Sequence, residues 1–345
     1  MAVRISIRTA DYDVEGQMAQ QSTPPQWSTG KSPLRHGDVP FRAGTVALAS
    51  AVVLLVFAVA WMLYTSSQEA RTAFGWNLLF GSTWNPVETE LNPVSFGGWP
   101  AVRGTLLSAL IALIIAAPLA VAIGIYLAEL CPPALRTPLS FLVELLAAVP
   151  SVIYGVWGVF VFVPFFSSTI AEPISTSLGA VVPWFAGPIA TGRGLIVTGI
   201  ILALMILPTI ASLTRDVLRL VPNTQREAML AIGATRWETI WLAVIPYSRA
   251  GIIGAIMLGL GRALGETMAA TMLVGNTQRI SESLFAPATT AASLVANELT
   301  NSVSSLHESA LISVAFALFG ITLFLNFGAR LLIWFVERNT RGGRS

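Results

Sequence analysis

Arg262 and Glu266 are the residues whose types and surroundings most need a chemical explanation. They lie within residues 251–274, a run otherwise made of apolar or small side chains. A charged side chain at bilayer depth costs about 2.5–3.5 kcal/mol on insertion scales, and a lipid-facing position would incur that cost twice in one span. The spacing is i, i+4, so a continuous helix puts both side chains on one face. Such a pair faces a protein interior or a water-filled path; the plainer alternative is an ion pair that locks two spans together. An arginine in a restricted polar path suits an oxyanion, because the planar guanidinium fork matches its oxygens. Glu266 would repel an anion, which leaves two accounts of it. It neutralises and orients Arg262 in the empty path, or low dielectric keeps it protonated so that it donates a hydrogen bond to the anion.

The elements that must hold this pair are membrane helices. The 345-residue chain is 54% hydrophobic and 11% charged, with mean hydropathy +0.71. Soluble domains carry roughly 25% charged residues, so the composition excludes an ordinary soluble domain. It predicts an all-α polytopic membrane protein, because in lipid each span must satisfy its own backbone. Six apolar stretches approach or exceed the length of a crossing: 44–64, 104–128, 139–166, 194–213, 252–274 and 310–335. Residues 1–43 are rich in Gln, Ser, Pro, Gly and Asp, and are expected to form a disordered tail. The apolar run after them begins too late and is too long for a cleavable signal peptide. A transmembrane domain is expected over 44–337, with a short cytoplasmic tail at 338–345.

Basic residues set the orientation. If the N-terminal tail is cytoplasmic, it carries Arg4, Arg8, Lys31, Arg35 and Arg42 inside. Arg136, Arg215, Arg219, Arg226, Arg236, Arg249, Arg338, Arg341 and Arg344 join them there. Only Arg71, Arg103, Arg193 and Arg279 fall outside, so both termini are expected in the cytoplasm. Arg330 can snorkel to the headgroups, and Glu144 is expected at the cytoplasmic interface of the third span. The long outer segments carry Trp76, Trp84, Trp99 and Trp184, expected mainly as interfacial anchors. The same segments offer a docking surface to an external partner. Cys131 is the single cysteine, which excludes an intrachain disulfide, and reads as a buried or loop thiol. His36 and His307 are too few and too far apart for a zinc site; no metal or cofactor is expected.

The longest cytoplasmic connection, 215–248, reads as two short helices around a hinge. Thr224 and Glu227 fit a capping box, Gly233 suits a stop at φ > 0, and Thr235 with Glu238 fits a second box. Small residues at Ala228, Ala231, Gly233 and Ala234 would let another surface approach closely; the alternative is an amphipathic loop at the headgroups. The run Arg226-Glu-Ala-Met-Leu-Ala-Ile-Gly-Ala-Thr-Arg-Trp-Glu238, followed by Pro246, resembles the EAA loop of ABC importer permeases. Glu227, Ala228 and Gly233 fall on the motif's Glu, first Ala and Gly, and Ala234 adjoins them. The resemblance implies a loop that docks into a cleft on a cytoplasmic ATPase and carries the coupling motion. Met229 replaces the second Ala, Ala243 stands where Ile is common, and Ile245 replaces the Leu before the proline. All three remain small or apolar.

In the fifth span, Gly251, Ala255 and Gly259 form one small-residue row, and Gly261, Gly265 and Ala269 another; such rows permit close helix packing. The stretch Gly259-Leu-Gly-Arg-Ala-Leu-Gly-Glu-Thr-Met-Ala-Ala270 continues through Gly275-Asn276, Arg279-Ile-Ser281, Ala286-Pro-Ala-Thr-Thr290 and Ala296-Asn-Glu298. It resembles the phosphate-specific ABC permeases of the PstC type, a likeness that extends over essentially all the spans. The resemblance implies a type I ABC importer permease fold and a pore-forming subunit for inorganic phosphate, with Arg262 and Glu266 in the substrate path. It also implies a second, related permease subunit (PstA type), two copies of a cytoplasmic ATPase (PstB type) and an extracytoplasmic phosphate-binding protein (PstS type). The setting implied is the lipid of a prokaryotic cytoplasmic membrane, with no role for nucleic acid. The chain carries no GxxxxGK[ST] phosphate loop. It is therefore expected to be a transporter subunit and not an enzyme, with ATP hydrolysis in a separate partner. The rival readings are a permease for another oxyanion or small solute, an ion-coupled secondary transporter with coupling-ion sites in repeated halves, and a scaffold or sensor without transport.

Overall fold

A computed structural model describes residues 38–88, 93–187, 189 and 191–341. The chain divides into two units, Met1–Phe57 and Ala58–Ser345. In the first, the described residues are helical, as the start of a helix that runs Asp38–Ser66. Its apolar side chains, such as Leu54 and Phe57, are exposed, as a lipid-facing helix requires. The tail expected over 1–43 lies mostly outside the described residues, and the helix begins at Asp38.

Among the described residues, six helices are long and apolar enough to cross a membrane: Pro40–Ser66, Trp99–Leu130, Ser151–Ala180, Leu195–Arg219, Arg236–Leu264 and Ser305–Phe335. The strands described are a short antiparallel pair, Trp84–Asn85 with Ser95–Phe96. The chain is thus an all-α membrane protein, as its composition predicts.

The third span departs from the expected 139–166. Pro133–Ala147 is a separate helix, and the crossing runs Ser151–Ala180. Pro150 divides them, because its ring disfavours the α region at the preceding residue and its missing N–H is harmless at a helix start. Hydropathy could not locate this boundary, since both flanks are apolar.

The fifth span departs more consequentially. Its main helix, Ile245–Leu264, follows a π-helical turn at Ile240–Val244 and stops at Gly265; a separate short helix, Met268–Leu273, comes after. Arg262 and Glu266 therefore stand on opposite sides of a helix break, not on one face of a continuous helix. The row Gly251, Ala255, Gly259 packs as expected. A Cβ on Gly251 would lie 2.3 Å from Val217 Cγ1, and one on Gly259 would lie 2.5 Å from Ile210 Cδ1. The second row does not pack this way: a Cβ on Gly261 meets nothing within 4 Å, and the break ends its periodicity.

Leu195–Arg219 is the hub of the unit Ala58–Ser345. Leu202, Met205, Ile206 and Ile210 are buried against an alanine row of the second span, Ala109, Ala112, Ala116 and Ala120, and against Ala255 and Ala263 of the fifth. Small residues on the neighbours let backbones approach, so van der Waals contact supplies the cohesion that lipid-solvated helices cannot draw from the hydrophobic effect. Within its apolar window, 67% is buried, against 28% for the second and fifth spans.

Candidate functional site

Three spans converge on Arg262. Its Nη1 donates to Thr209 Oγ1 at 2.8 Å, near the middle of Leu195–Arg219. Tyr154 of the third span packs against the core cluster that holds the neighbouring Ala263 and Leu264, and its hydroxyl donates to the Leu146 carbonyl at 3.1 Å. A guanidinium carries five N–H donors; the one to Thr209 is committed, and no carboxylate among the described residues is ion-paired with Arg262. Glu266 is engaged elsewhere. Its Oε1 accepts the Ala269 N–H at 3.1 Å and so caps the start of Met268–Leu273. Arg262 and Glu266 form no ion pair with each other, and the break at Gly265 carries Glu266 off the arginine's helix.

The loop residues form a compact knob. Asn223–Ala231 starts behind Pro222, whose extended backbone (ψ 139°) sets the first turn without a side-chain cap. Thr224 lies inside this helix, so the capping box expected over Thr224–Glu227 does not form, and Glu227 is exposed with Ala228. The helix ends as expected at Gly233, with φ +88°. The Gly233 N–H reaches Leu230 O at 3.0 Å and the Ala234 N–H reaches Met229 O at 3.1 Å, the paired bonds of a Schellman stop. The second capping box is present: Glu238 N–H donates to Thr235 Oγ1 at 3.3 Å and Thr235 N–H to Glu238 Oε2 at 2.7 Å. Glu227, Ala228 and Gly233 thus share an exposed knob, with Ala234 half-buried at its turn. The fourth span reaches Arg219 and the fifth begins at Arg236, so the connection proper is shorter than 215–248.

Several connections escaped sequence reasoning. Arg215 belongs to the last turns of Leu195–Arg219 and is buried, with Nη2 2.9 Å from Glu144 Oε1 and 2.7 Å from Asp216 Oδ1. A buried guanidinium needs such partners, and the lone acid Glu144 in an apolar run was the signal for one. Trp84 is not a simple interfacial anchor, since its Nε1 donates to Glu298 Oε2 at 2.8 Å. Glu298 also receives Gln278 Nε2 and pairs with buried His307 Nε2 at 3.0 Å, while the His307 ring stacks on Phe96. One carboxylate thereby ties the strand pair, the segment after Met268–Leu273 and the sixth span. The spacing of these residues gives no hint of that meeting.

Residues 120–341 match the family described as binding-protein-dependent transport system inner membrane component. A phosphate transport system permease protein PstC of Mesorhizobium japonicum is 45% identical over 286 residues, covering 82% of this chain and 85% of that one. The PstC of Pasteurella multocida is 42% identical over 278 residues, covering 80% and 85%. Among solved structures, an inward-facing MetNI methionine ABC transporter aligns with a TM-score of 0.48 at 19% identity, over 70% of this chain and 94% of that chain.

Proposed function

The chain belongs to the family of binding-protein-dependent transport system inner membrane components, and on that premise we propose that it forms the transmembrane path of an ATP-driven importer of inorganic phosphate. It is a multi-pass inner-membrane transport subunit of an ABC transporter. The cargo reading draws on relatives named for phosphate transport and on one feature of the site. Among the described residues, Arg262 is held by the Thr209 hydroxyl and by no carboxylate. An arginine held this way keeps its charge and most of its donor fork for an incoming oxyanion.

Phosphate entering the path exchanges water for the free guanidinium donors. The attraction must be strong enough to admit the ion and weak enough to release it. Thr209 fixes the direction of the guanidinium. Glu266 belongs to the same path in a supporting role, holding the chain reversal after Gly265 by its bond to Ala269. Energy comes from outside the chain. Glu227, Ala228, Gly233 and Ala234 present the knob to a cytoplasmic ATPase, of which two copies serve this chain and a second, related permease. A phosphate-binding protein delivers the ion to the opposite face. The bias of basic residues supports both termini, and the knob, on the cytoplasmic side.

The test is uptake of labelled phosphate by the reconstituted complex. Arg262→Gln leaves assembly intact and lowers uptake by about tenfold to a hundredfold, as loss of a charged hydrogen bond worth about 1.5–3 kcal/mol requires. Wild-type uptake by this variant would refute the arginine's role. Sulfate that competes as well as phosphate would replace the cargo by a broader oxyanion class.

A further inference from the structure

Arg226 stands one residue before Glu227 but turns the other way. Its Nη2 meets Glu129 Oε1 at 2.7 Å and its Nε meets Glu129 Oε2 at 3.2 Å, a fork on a carboxylate 97 residues distant. Nη2 also donates to Leu218 O at 2.9 Å, and Nη1 donates to Val221 O at 2.6 Å and to Asn223 Oδ1 at 3.3 Å. The pair is largely shielded, at 20% and 12% side-chain exposure. Three elements meet here. Arg226 belongs to the knob helix Asn223–Ala231, and Glu129 to the π-helical turn Tyr126–Leu130 that ends the second span. Leu218 lies in the last turn of Leu195–Arg219 and Val221 just past it; the Leu218 carbonyl also accepts the Val221 N–H at 3.3 Å, so Arg226 adds a second donor there.

A shielded ion pair adds little net stability over an apolar pair of similar volume. What a two-point fork fixes is the relative placement of the elements it joins. We propose that Arg226 is a positioning residue: with Glu129 it forms a strut that makes the knob helix and the ends of the second and fourth spans move as one body. The inference rests on the reading of the knob as an ATPase-docking surface. Under that reading a push on the knob reaches Leu195–Arg219 directly through the Leu218 and Val221 carbonyls. The same helix carries Thr209, the residue that holds Arg262, so the strut ties docking to the posture of the path arginine. Glu227 and Ala228 face the ATPase while their neighbour Arg226 faces the spans.

The strut is tested in the full complex in proteoliposomes. Arg226→Met with Glu129→Met removes both charges, so neither is left buried and alone. Expected is a complex that retains its ATPase at wild-type yield but imports about tenfold less phosphate per ATP hydrolysed, within the usual range of coupling energies. Arg226→Lys keeps the charge without the fork and falls between. A second readout does not depend on phosphate. Spin labels on Leu119→Cys in the second span and Leu230→Cys in the knob helix, in a Cys131→Ser background, report the distance between the two elements. In the otherwise wild-type chain it stays the same with and without ATP; in the double variant it broadens and shifts with ATP. Wild-type phosphate import per ATP in the double variant, or an unchanged label distance, overturns the strut. So does loss of ATPase binding alone, which would make the pair merely structural. If the unmutated complex hydrolyses ATP and holds the label distance yet imports no phosphate, the cargo reading fails and the strut stands.

Discussion

A guanidinium held by a hydroxyl keeps its full positive charge, whereas one held by a carboxylate is neutralised before any anion arrives. That is the difference Thr209 makes to Arg262. The arginine itself was legible, because a charge within an apolar run has few explanations. Its partner was not, because Thr209 is 53 positions away and chemically ordinary. Glu266 shows the converse. Its presence was legible, but its role as a cap depends on a helix break that residue spacing does not reveal. The cap makes a specific prediction. Glu266→Gln retains an acceptor for the Ala269 N–H and should keep most thermal stability and uptake. Glu266→Ala leaves that N–H without its partner beside a buried residue and should cost about 1–3 kcal/mol. Thermal unfolding in detergent with parallel uptake assays checks both, and equal loss in the two variants would show that the charge matters more than the cap.

At the level of helices, the apolar runs located the crossings but not their interruptions. Pro150 divides one expected span in two, and the break at Gly265 cuts another. In both cases apolar residues continue on either side, so average hydropathy is blind to the boundary. π-helical turns at Tyr126–Leu130, Gly158–Phe162, Ser167–Ala171 and Ile240–Val244 add to the problem. Each widens one turn and rotates the C-terminal remainder of its helix relative to a strict 3.6-residue pattern. The small-residue rows show how far periodicity can be trusted. The row through Gly259 lies at a helix contact, and the one through Gly261 does not. Gly259→Ala should therefore destabilise the protein by about 1–3 kcal/mol through overpacking against buried Ile210. Gly261→Ala, in the same helix and with open space around it, should be neutral or slightly stabilising. Melting temperatures of the two variants make the comparison, and equal behaviour would deny the close approach.

For the molecule as a whole, composition sufficed for the class: few charges, long apolar runs and an all-α backbone. It said nothing about rank among the spans, because apolarity does not track burial: the first two spans are more apolar than Leu195–Arg219 and yet far less enclosed. Rank comes from packing, and within Ala58–Ser345 it belongs to Leu195–Arg219. That burial has a kinetic consequence. Amide protons exchange with deuterium through openings whose free energies range from near zero at frayed ends to the global value in the core. Residues 201–211 should be the last of this unit to exchange, and residues 223–231 of the exposed knob among the first, in a mass-spectrometric exchange series. Early exchange at 201–211 would contradict the hub. The most enclosed helix is thus also the unit's slowest clock, and the lifetimes of every local opening can be read against it.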